Sequence, residues 1–281
     1  MALVRMSSLL KRAAEKGIGC GSFSVNNMET ILGTIRAAEE EQTPIILQVA
    51  EVRLKHSPFY LMAPMMLAAA KHASVDVAVH LDHGTSMELI EEALRMGFTS
   101  VMYDGSHLPL QENIRNTQAV CRMAKAAGAD VEAELGLVGR SEDGTIEFGV
   151  AWTKLEDAEA MTAETDIDAL AVAIGNQHGN YKAPPKLRFD ILKDIHEHLP
   201  DMPLVLHGGS GITDEDFQNC IRNGIRKVNI ATATLNNLVK EAKAYLDTAE
   251  HPDYYGLNTA MVQGAYENVK HHIHVFNMER I

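Results

Sequence analysis

Cysteine is scarce in this chain, and its three copies, Cys20, Cys121 and Cys220, stand far apart with no CxxC pair. Such spacing argues against a disulfide framework and fits a reduced, cytoplasmic compartment. Positive charge is also in deficit: 25 Lys and Arg face 38 Asp and Glu, for a formal net charge of −13. Affinity for a nucleic-acid backbone needs clustered cations, and no basic run is present, so any anionic ligand has to be gripped locally. Long apolar runs are missing too. The longest, Leu61 to Ala70, contains Pro64 and reaches about half the length that spans a bilayer. At the start, Leu9 and Leu10 sit among Arg5, Lys11, Arg12 and Glu15, the pattern of an amphipathic helix and not of a secretion signal. What is present is a 46% hydrophobic content over 281 residues, enough to bury a large core, and one domain covering 1–281 is expected.

Short apolar runs alternate with longer segments of helical period. Strands are predicted over Ile18–Phe23, Ile45–Val49, Val77–His80, Ser100–Tyr103, Val131–Leu135, Ala169–Ala173, Leu204–Leu206 and Lys227–Ile230. Helices are predicted after each, over Met28–Glu41, Phe59–His72, Ser86–Met96, Leu110–Ala127, Leu155–Thr165, Phe189–His198, Thr213–Asn223 and Thr234–Thr248. Gly97, Gly128 and Gly224 lie just past three of these helices, where a left-handed cap favours glycine. Strict alternation with short, wholly apolar strands implies a parallel sheet, and eight repeats match an α/β fold of the (β/α)8 TIM-barrel type. An extra helix precedes the barrel and another, about Leu257 to Phe276, follows it. An open doubly wound sheet is the rival arrangement. Two connections, Gly136 to Thr153 and Ile174 to Arg188, are longer than the rest, as binding loops often are.

Polar residues suited to chemistry fall at the C-terminal ends of the predicted strands. Asp82 and His83 follow the third strand and Asp104 the fourth, while Glu132 and Glu134 alternate onto one face of the fifth. His178 lies after the sixth strand, His207 closes the seventh, and Asn229 stands on the eighth with Thr232 just beyond. In a barrel these ends converge on one rim, where catalytic groups collect. Of 13 histidines, several, such as His72, His196 and His198, belong to predicted helix surfaces. His83, His178 and His207 come from three strand ends and suit a divalent metal with an open position for substrate. His80 is expected to face the barrel interior in a packing or supporting role. The run His207-Gly208-Gly209-Ser210-Gly211 leads from strand to helix, and Asn229-Ile230-Ala231-Thr232 follows the eighth strand. Both suit phosphate held by backbone amides and a helix N-terminus. By spacing alone, Glu142 and Asp143 read as a solvated acidic loop, and Asp104-Gly105-Ser106 as a turn and cap.

The motifs His80-Leu81-Asp82-His83, Asp104-Gly105-Ser106-His107, Val131 to Gly136, Ala171 to Gly175 with His178-Gly179, Leu206-His207-Gly208 and Val228 to Thr232 resemble, as a set and in order, the class II zinc-dependent ketose-bisphosphate aldolases. The similarity runs from about Phe23 to Thr232 and is greatest to the tagatose-bisphosphate branch. It implies that His83, His178 and His207 hold one catalytic Zn2+, with a second or monovalent cation possible through Glu134 and Asp104. It further implies Asp82 as catalytic acid/base, Glu142 as a loop acid that donates a proton, and Gly179, Gly208, Gly209, Ser210, Asn229, Ile230, Ala231 and Thr232 as contacts of dihydroxyacetone phosphate. A homo-oligomer, dimer or tetramer, acting on a small phosphorylated sugar is expected, with neither nucleic acid nor membrane as partner. Cleavage between C3 and C4 of a ketose needs a base for the C4 hydroxyl and a sink for charge on the ketone fragment.

Some positions depart from that family. Gly84 replaces a second histidine, Ala50-Glu51-Val52-Arg53 brings charge after the second strand, Gly139-Arg140 replaces a Gly-Gly, and the chain closes on Val275-Phe276-Asn277-Met278-Glu279-Arg280. The second and last of these are expected to bear on the aldehyde half of the substrate. Three rivals follow: an unphosphorylated or acidic aldehyde partner, suggested by Arg53 and Arg140; a non-catalytic barrel subunit stabilising a partner aldolase; and a zinc hydrolase. An imine on Lys182 is disfavoured.

Overall fold

A computed structural model describes residues 2–139, 151–180 and 185–279. Eight strands, β1 (Cys20–Ser24), β2 (Ile45–Ala50), β3 (Val77–Gly84), β4 (Ser100–Tyr103), β5 (Asp130–Leu135), β6 (Ala169–Val172), β7 (Leu204–Leu206) and β8 (Ile225–Ile230), close a parallel barrel in chain order. The helices are α1 (Met6–Lys16), α2 (Met28–Glu40), α3 (Phe59–His72), α4 (Met87–Met96), α5 (Leu110–Ala127), α6 (Leu155–Glu164), α7 (Phe189–His198), α8 (Asp214–Arg222), α9 (Thr232–Thr248) and α10 (Tyr254–Phe276). The expected (β/α)8 barrel with an added helix at each end is therefore the observed fold, and the open-sheet rival is excluded by the β1–β8 pairing. Gly97 and Gly128 cap α4 and α5 in the left-handed region, as expected. Gly224 is also left-handed but lies one residue beyond the cap Asn223. No helix among the described residues is long and apolar enough to cross a membrane.

Apolar residues form two layers. Val79, Leu81, Val131, Ile230 and their neighbours point outward against the helices, while Cys20, Ile46, Ala78, Ala169, Ala171 and Val205 fill the N-terminal end inside the barrel. Met6, Leu9, Leu10 and Ala13 of α1 plug that end from below. Its amphipathic pattern is thus spent on closing the barrel, with Asp130 receiving the Ser7 N–H and the Arg5 guanidinium at the joint. Because the bottom is sealed with hydrocarbon, alternation along the strands leaves the upper interior to Ser22, Gln48, His80, Asp82, Glu132, Lys227 and Asn229, all buried.

Three local expectations are corrected. β3 runs four residues past His80, so Asp82 and His83 belong to the strand instead of following it. α9 begins at Thr232, which is a helix residue and not a free loop position. Among the described residues the C-terminal segment lies away from the mouth: Phe276 O accepts from the Gly19 N–H just before β1, and Val275 and Phe276 are buried core residues at the opposite face. Among the described residues, this end of the chain packs on the barrel.

Candidate active site

The β3–β4 pairing carries the feature that builds the site. Leu81 pairs with Val101 and Gly84 with Tyr103, so Asp82 and His83 together oppose Met102 in a β-bulge. His83 has φ 45°, left-handed for a non-glycine residue, and its N–H reaches Met102 Sδ at 3.3 Å. In a regular strand two successive side chains face opposite sides. Here both face the mouth, and strain of this kind persists only where surrounding contacts hold it. Gly84 packs tightly at the bulge, where a Cβ would lie 2.6 Å from Met102 O.

Asp82 is fully buried, with Oδ2 accepting from Gln48 Nε2 at 2.9 Å and Oδ1 from Asn229 Nδ2 at 3.1 Å. His83 Nδ1 lies 2.9 Å from Asp104 Oδ2, and His207 Nε2 lies 2.7 Å from Glu132 Oε1. Burial pushes the Asp104 carboxyl up, but the His83 hydrogen bond and charge and two bonds from Ser106 hold it well below the usual carboxylate range. Ionised Asp104 only accepts, so His83 Nδ1 carries the hydrogen. Glu132 is ion-paired with Lys227 Nζ at 2.8 Å and likewise accepts, so His207 Nε2 carries its hydrogen. The remaining nitrogens, His83 Nε2 and His207 Nδ1, face each other at 2.8 Å.

Two lone pairs at that distance would repel, so a positive charge belongs between them: the proton that a raised His83 carries on Nε2, or a metal cation in its place. His178 adds a third ring, with one ligand atom from each histidine within 4.8 Å of the others. Buried Glu134 Oε2 has no hydrogen-bond partner among the described residues and lies 3.9 Å from both His83 Nδ1 and His207 Nδ1. Burial and the Asp104 charge hold the Glu134 carboxyl well above its usual range. Burial lowers the His83 imidazole, but the Asp82, Asp104 and Glu134 carboxylates outweigh it and raise it well above the ordinary value. His207, by burial and the nearby His83, is driven well below it. This donor set, three imidazoles fixed by carboxylates with an orphaned carboxylate oxygen beside them, fits a divalent cation. A second grouping, His83 with Asp104 and Glu134, shares a ligand with the first, and a third, His80 with Asp82 and Glu132, lies deeper in the barrel.

The phosphate-type elements meet at the same end. Gly208 has φ 67°, and a Cβ there would sit 2.2 Å from Gln177 O, so only glycine lets the loop after β7 pass under the loop after β6. Asn176 ties these loops together, its Nδ2 donating to His207 O at 2.9 Å. Ser210 Oγ accepts from Ala233 N at 2.8 Å, joining that loop to the first turn of α9, whose cap Ala231 offers no side-chain acceptor. Gly179 is left-handed with open space around it. Ile230 points its side chain into the outer core, so only its backbone can serve a ligand. Glu142, Asp143, Arg140 and Lys182 lie outside the described residues.

Several functional neighbours were not anticipated. Lys227, Gln48, Ser22 and Ser24 line the interior beside Asp82, and their signal is the i, i+2 recurrence of polar residues within apolar strands. Lys227 in particular is a lysine inside the barrel, on a strand whose local pattern does not single it out. Asp104 serves both as the expected turn, accepting from Ser106 N and Oγ, and as the partner of His83. Glu51 turns out to be a brace: its Oε2 receives the N–H groups of Thr85 and Ser86 at 2.5 and 3.1 Å.

A barrel with this mouth is the architecture of an aldolase. A family model described as fructose-bisphosphate aldolase class-II matches residues 4–280, and the chain belongs to that family. A probable fructose-bisphosphate aldolase from Bacillus subtilis (strain 168) is 40% identical over 259 residues, covering 91% of this chain and 90% of its own. Among solved structures, the YdjI aldolase from Escherichia coli K12 is similar with a TM-score of 0.87 at 33% identity, covering 98% of this chain and 97% of that one. A putative fructose-1,6-bisphosphate aldolase from Coccidioides immitis gives 0.89 at 31%, covering 97% and 96%. As a member of the family this chain is an enzyme, a carbon–carbon lyase.

Proposed function

We propose that the protein is a zinc-dependent aldolase that reversibly cleaves a ketose (bis)phosphate, such as fructose or tagatose 1,6-bisphosphate, into dihydroxyacetone phosphate and an aldehyde, glyceraldehyde 3-phosphate for these substrates. The observation that carries the reading is the facing pair His83 Nε2 and His207 Nδ1, each backed by a carboxylate, with His178 alongside and Asp82 in the same mouth. His83, His178 and His207 would hold the metal, with Glu134 and Asp104 able to exchange as ligands. When bound, zinc supplies Lewis acidity to the ketone end of the substrate.

The protein's own groups carry the proton steps. Asp82, fixed by Gln48 and Asn229, takes the C4 hydroxyl proton. The O–H electron pair forms the aldehyde C=O, the C3–C4 bond breaks, and its pair stays on the ketone fragment. Glu142 returns a proton to C3. The ketone phosphate is held by backbone N–H groups of Gly179, Gly208, Gly209 and Ser210 and of Asn229 to Thr232, at the open N-terminus of α9.

For the aldehyde half, Arg53 at the rim keeps an unphosphorylated or acidic partner in play, whereas Glu51 is committed to the β3–α4 loop. We take residues 1–281 as one catalytic unit, self-associating as a dimer or tetramer in the cytoplasm; three free, buried cysteines support a reduced compartment. Assay of dihydroxyacetone phosphate against an aldehyde panel, with and without chelator, tests the proposal. Turnover confined to glyceraldehyde 3-phosphate would remove the acidic-aldehyde alternative. A purified protein with no divalent metal, and no activity on adding zinc, would favour a non-catalytic subunit.

A further inference from the structure

Lys227 is among the largest wholly buried side chains of the protein, at 0% exposure inside the barrel. Lysine is almost never fully buried unless paired. Its Nζ lies 2.8 Å from Glu132 Oε2 and donates to Asn229 Oδ1 at 2.7 Å. Those two partners lead in different directions. Glu132 Oε1 fixes the His207 ring, and Asn229 Nδ2 donates to Asp82 Oδ1.

We propose that Lys227 is a positioning residue for carbon–carbon cleavage, the ammonium that orients the Asn229 amide toward Asp82 while neutralising Glu132 behind His207. It rests on the reading of Asp82 as the base. An ammonium can only donate, so the amide atom turned toward it is the oxygen, and Nδ2 is left to face the carboxylate. Without that ammonium the amide oxygen loses its donor, and the amide is held less firmly, by the Asp82 carboxylate and the 3.5 Å approach of Nδ2 to the His207 ring, so its orientation toward Asp82 is weakened. The opposite oxygen of Asp82 is held by Gln48, whose Oε1 accepts from Ser22 Oγ. The base is thus clamped from both sides, and only the Asn229 side depends on a charge. Lys227 and Asn229 are two residues apart on β8, which places both on its inner face.

The experiment compares two half-reactions in the zinc-loaded protein. Loss of hydrogen from the hydroxymethyl carbon of dihydroxyacetone phosphate to D2O, followed by NMR, does not use the C4 hydroxyl base, whereas cleavage does. Lys227→Met alone would leave Glu132 buried without its counter-ion, so the double variant Lys227→Met/Glu132→Gln is included; its amide oxygen can still accept from His207. In this double variant, with zinc retained and rates compared with those of Glu132→Gln alone, kcat for cleavage is expected to fall about a hundredfold with KM within about threefold, while exchange falls less than about threefold. Lys227→Gln/Glu132→Gln, which restores a donor to Asn229, is expected to recover about tenfold of the lost kcat. Parallel loss of exchange and cleavage, cleavage within about threefold of Glu132→Gln alone, or no recovery in the second variant would each overturn the assignment. A wild-type protein that exchanges and cleaves no ketose phosphate would instead overturn the underlying aldolase proposal.

Discussion

Glu132 Oε1 stands 2.7 Å from His207 Nε2, so a carboxylate with no direct view of the substrate side decides which nitrogen of that histidine is available as a ligand. Glu132→Ala is expected to weaken zinc affinity by about 10–100-fold, because the ring loses both its tautomer lock and its orientation. Competition with a chromogenic chelator reads this directly; an unchanged affinity would show that the carboxylate is only a partner for Lys227.

Asp82→Asn preserves the size of the side chain and removes the base. Zinc content is expected to stay near wild type while cleavage drops by about 10²–10⁴-fold. Metal analysis and steady-state rates on the same preparation separate the two effects, and near-normal turnover would contradict the proposed role.

Gly208→Ala would drive a Cβ to 2.2 Å from the carbonyl oxygen of Gln177 at a left-handed backbone position. The expected cost is about 1–3 kcal/mol of stability, together with a raised KM for the ketone phosphate, since the loops after β6 and β7 must separate. Urea unfolding and saturation kinetics measure each part. Tight substrate binding in this variant would show that the loop crossing does not shape the phosphate site.

His272 on α10 is buried against Phe217 and Phe276, its Nδ1 2.7 Å from Asn268 O. Burial, with a smaller push from His271, lowers this imidazole to about 4. A group depressed on folding contributes stability that is present above its unfolded value, about 6.5, and lost as pH falls toward its folded value. The contribution reaches about 3 kcal/mol and should fade between roughly pH 6.5 and 4. Urea unfolding at several pH values should show a shallower acid loss for His272→Gln than for wild type. Equal slopes would mean that His272 is already accessible to protons in the native protein.

The strand and helix pattern was readable from the chain because each element carries its own period. β4 and β7, and helices α3, α5 and α7, coincide with the predicted boundaries, since apolar runs and flanking glycines are local signals. Boundaries slipped where polar side chains enter the barrel: β3 was cut at His80 because His80, Asp82 and His83 read as the end of an apolar strand. The same bias hid Lys227, which looks like a surface residue until Glu132 from β5 and Asn229 are placed beside it. Strand-end position already pointed to His83, His178 and His207 as metal ligands, whereas the role of Glu142 came from family resemblance and not from spacing.

By itself the sequence determined an eight-fold alternation, an amphipathic helix at its start, and a set of polar residues at strand ends, all properties of short stretches with their own hydrophobic period. The tertiary structure alone decided that Asp82 and His83 share one mouth, because a bulge exists only against the partner strand β4 and is held by Met102 and Gly84. It also decided which nitrogens of His83 and His207 are available, because Asp104 and Glu132 reach them from other strands. Alternation is a property of one strand, whereas hydrogen-bond direction and charge pairing are properties of the closed barrel.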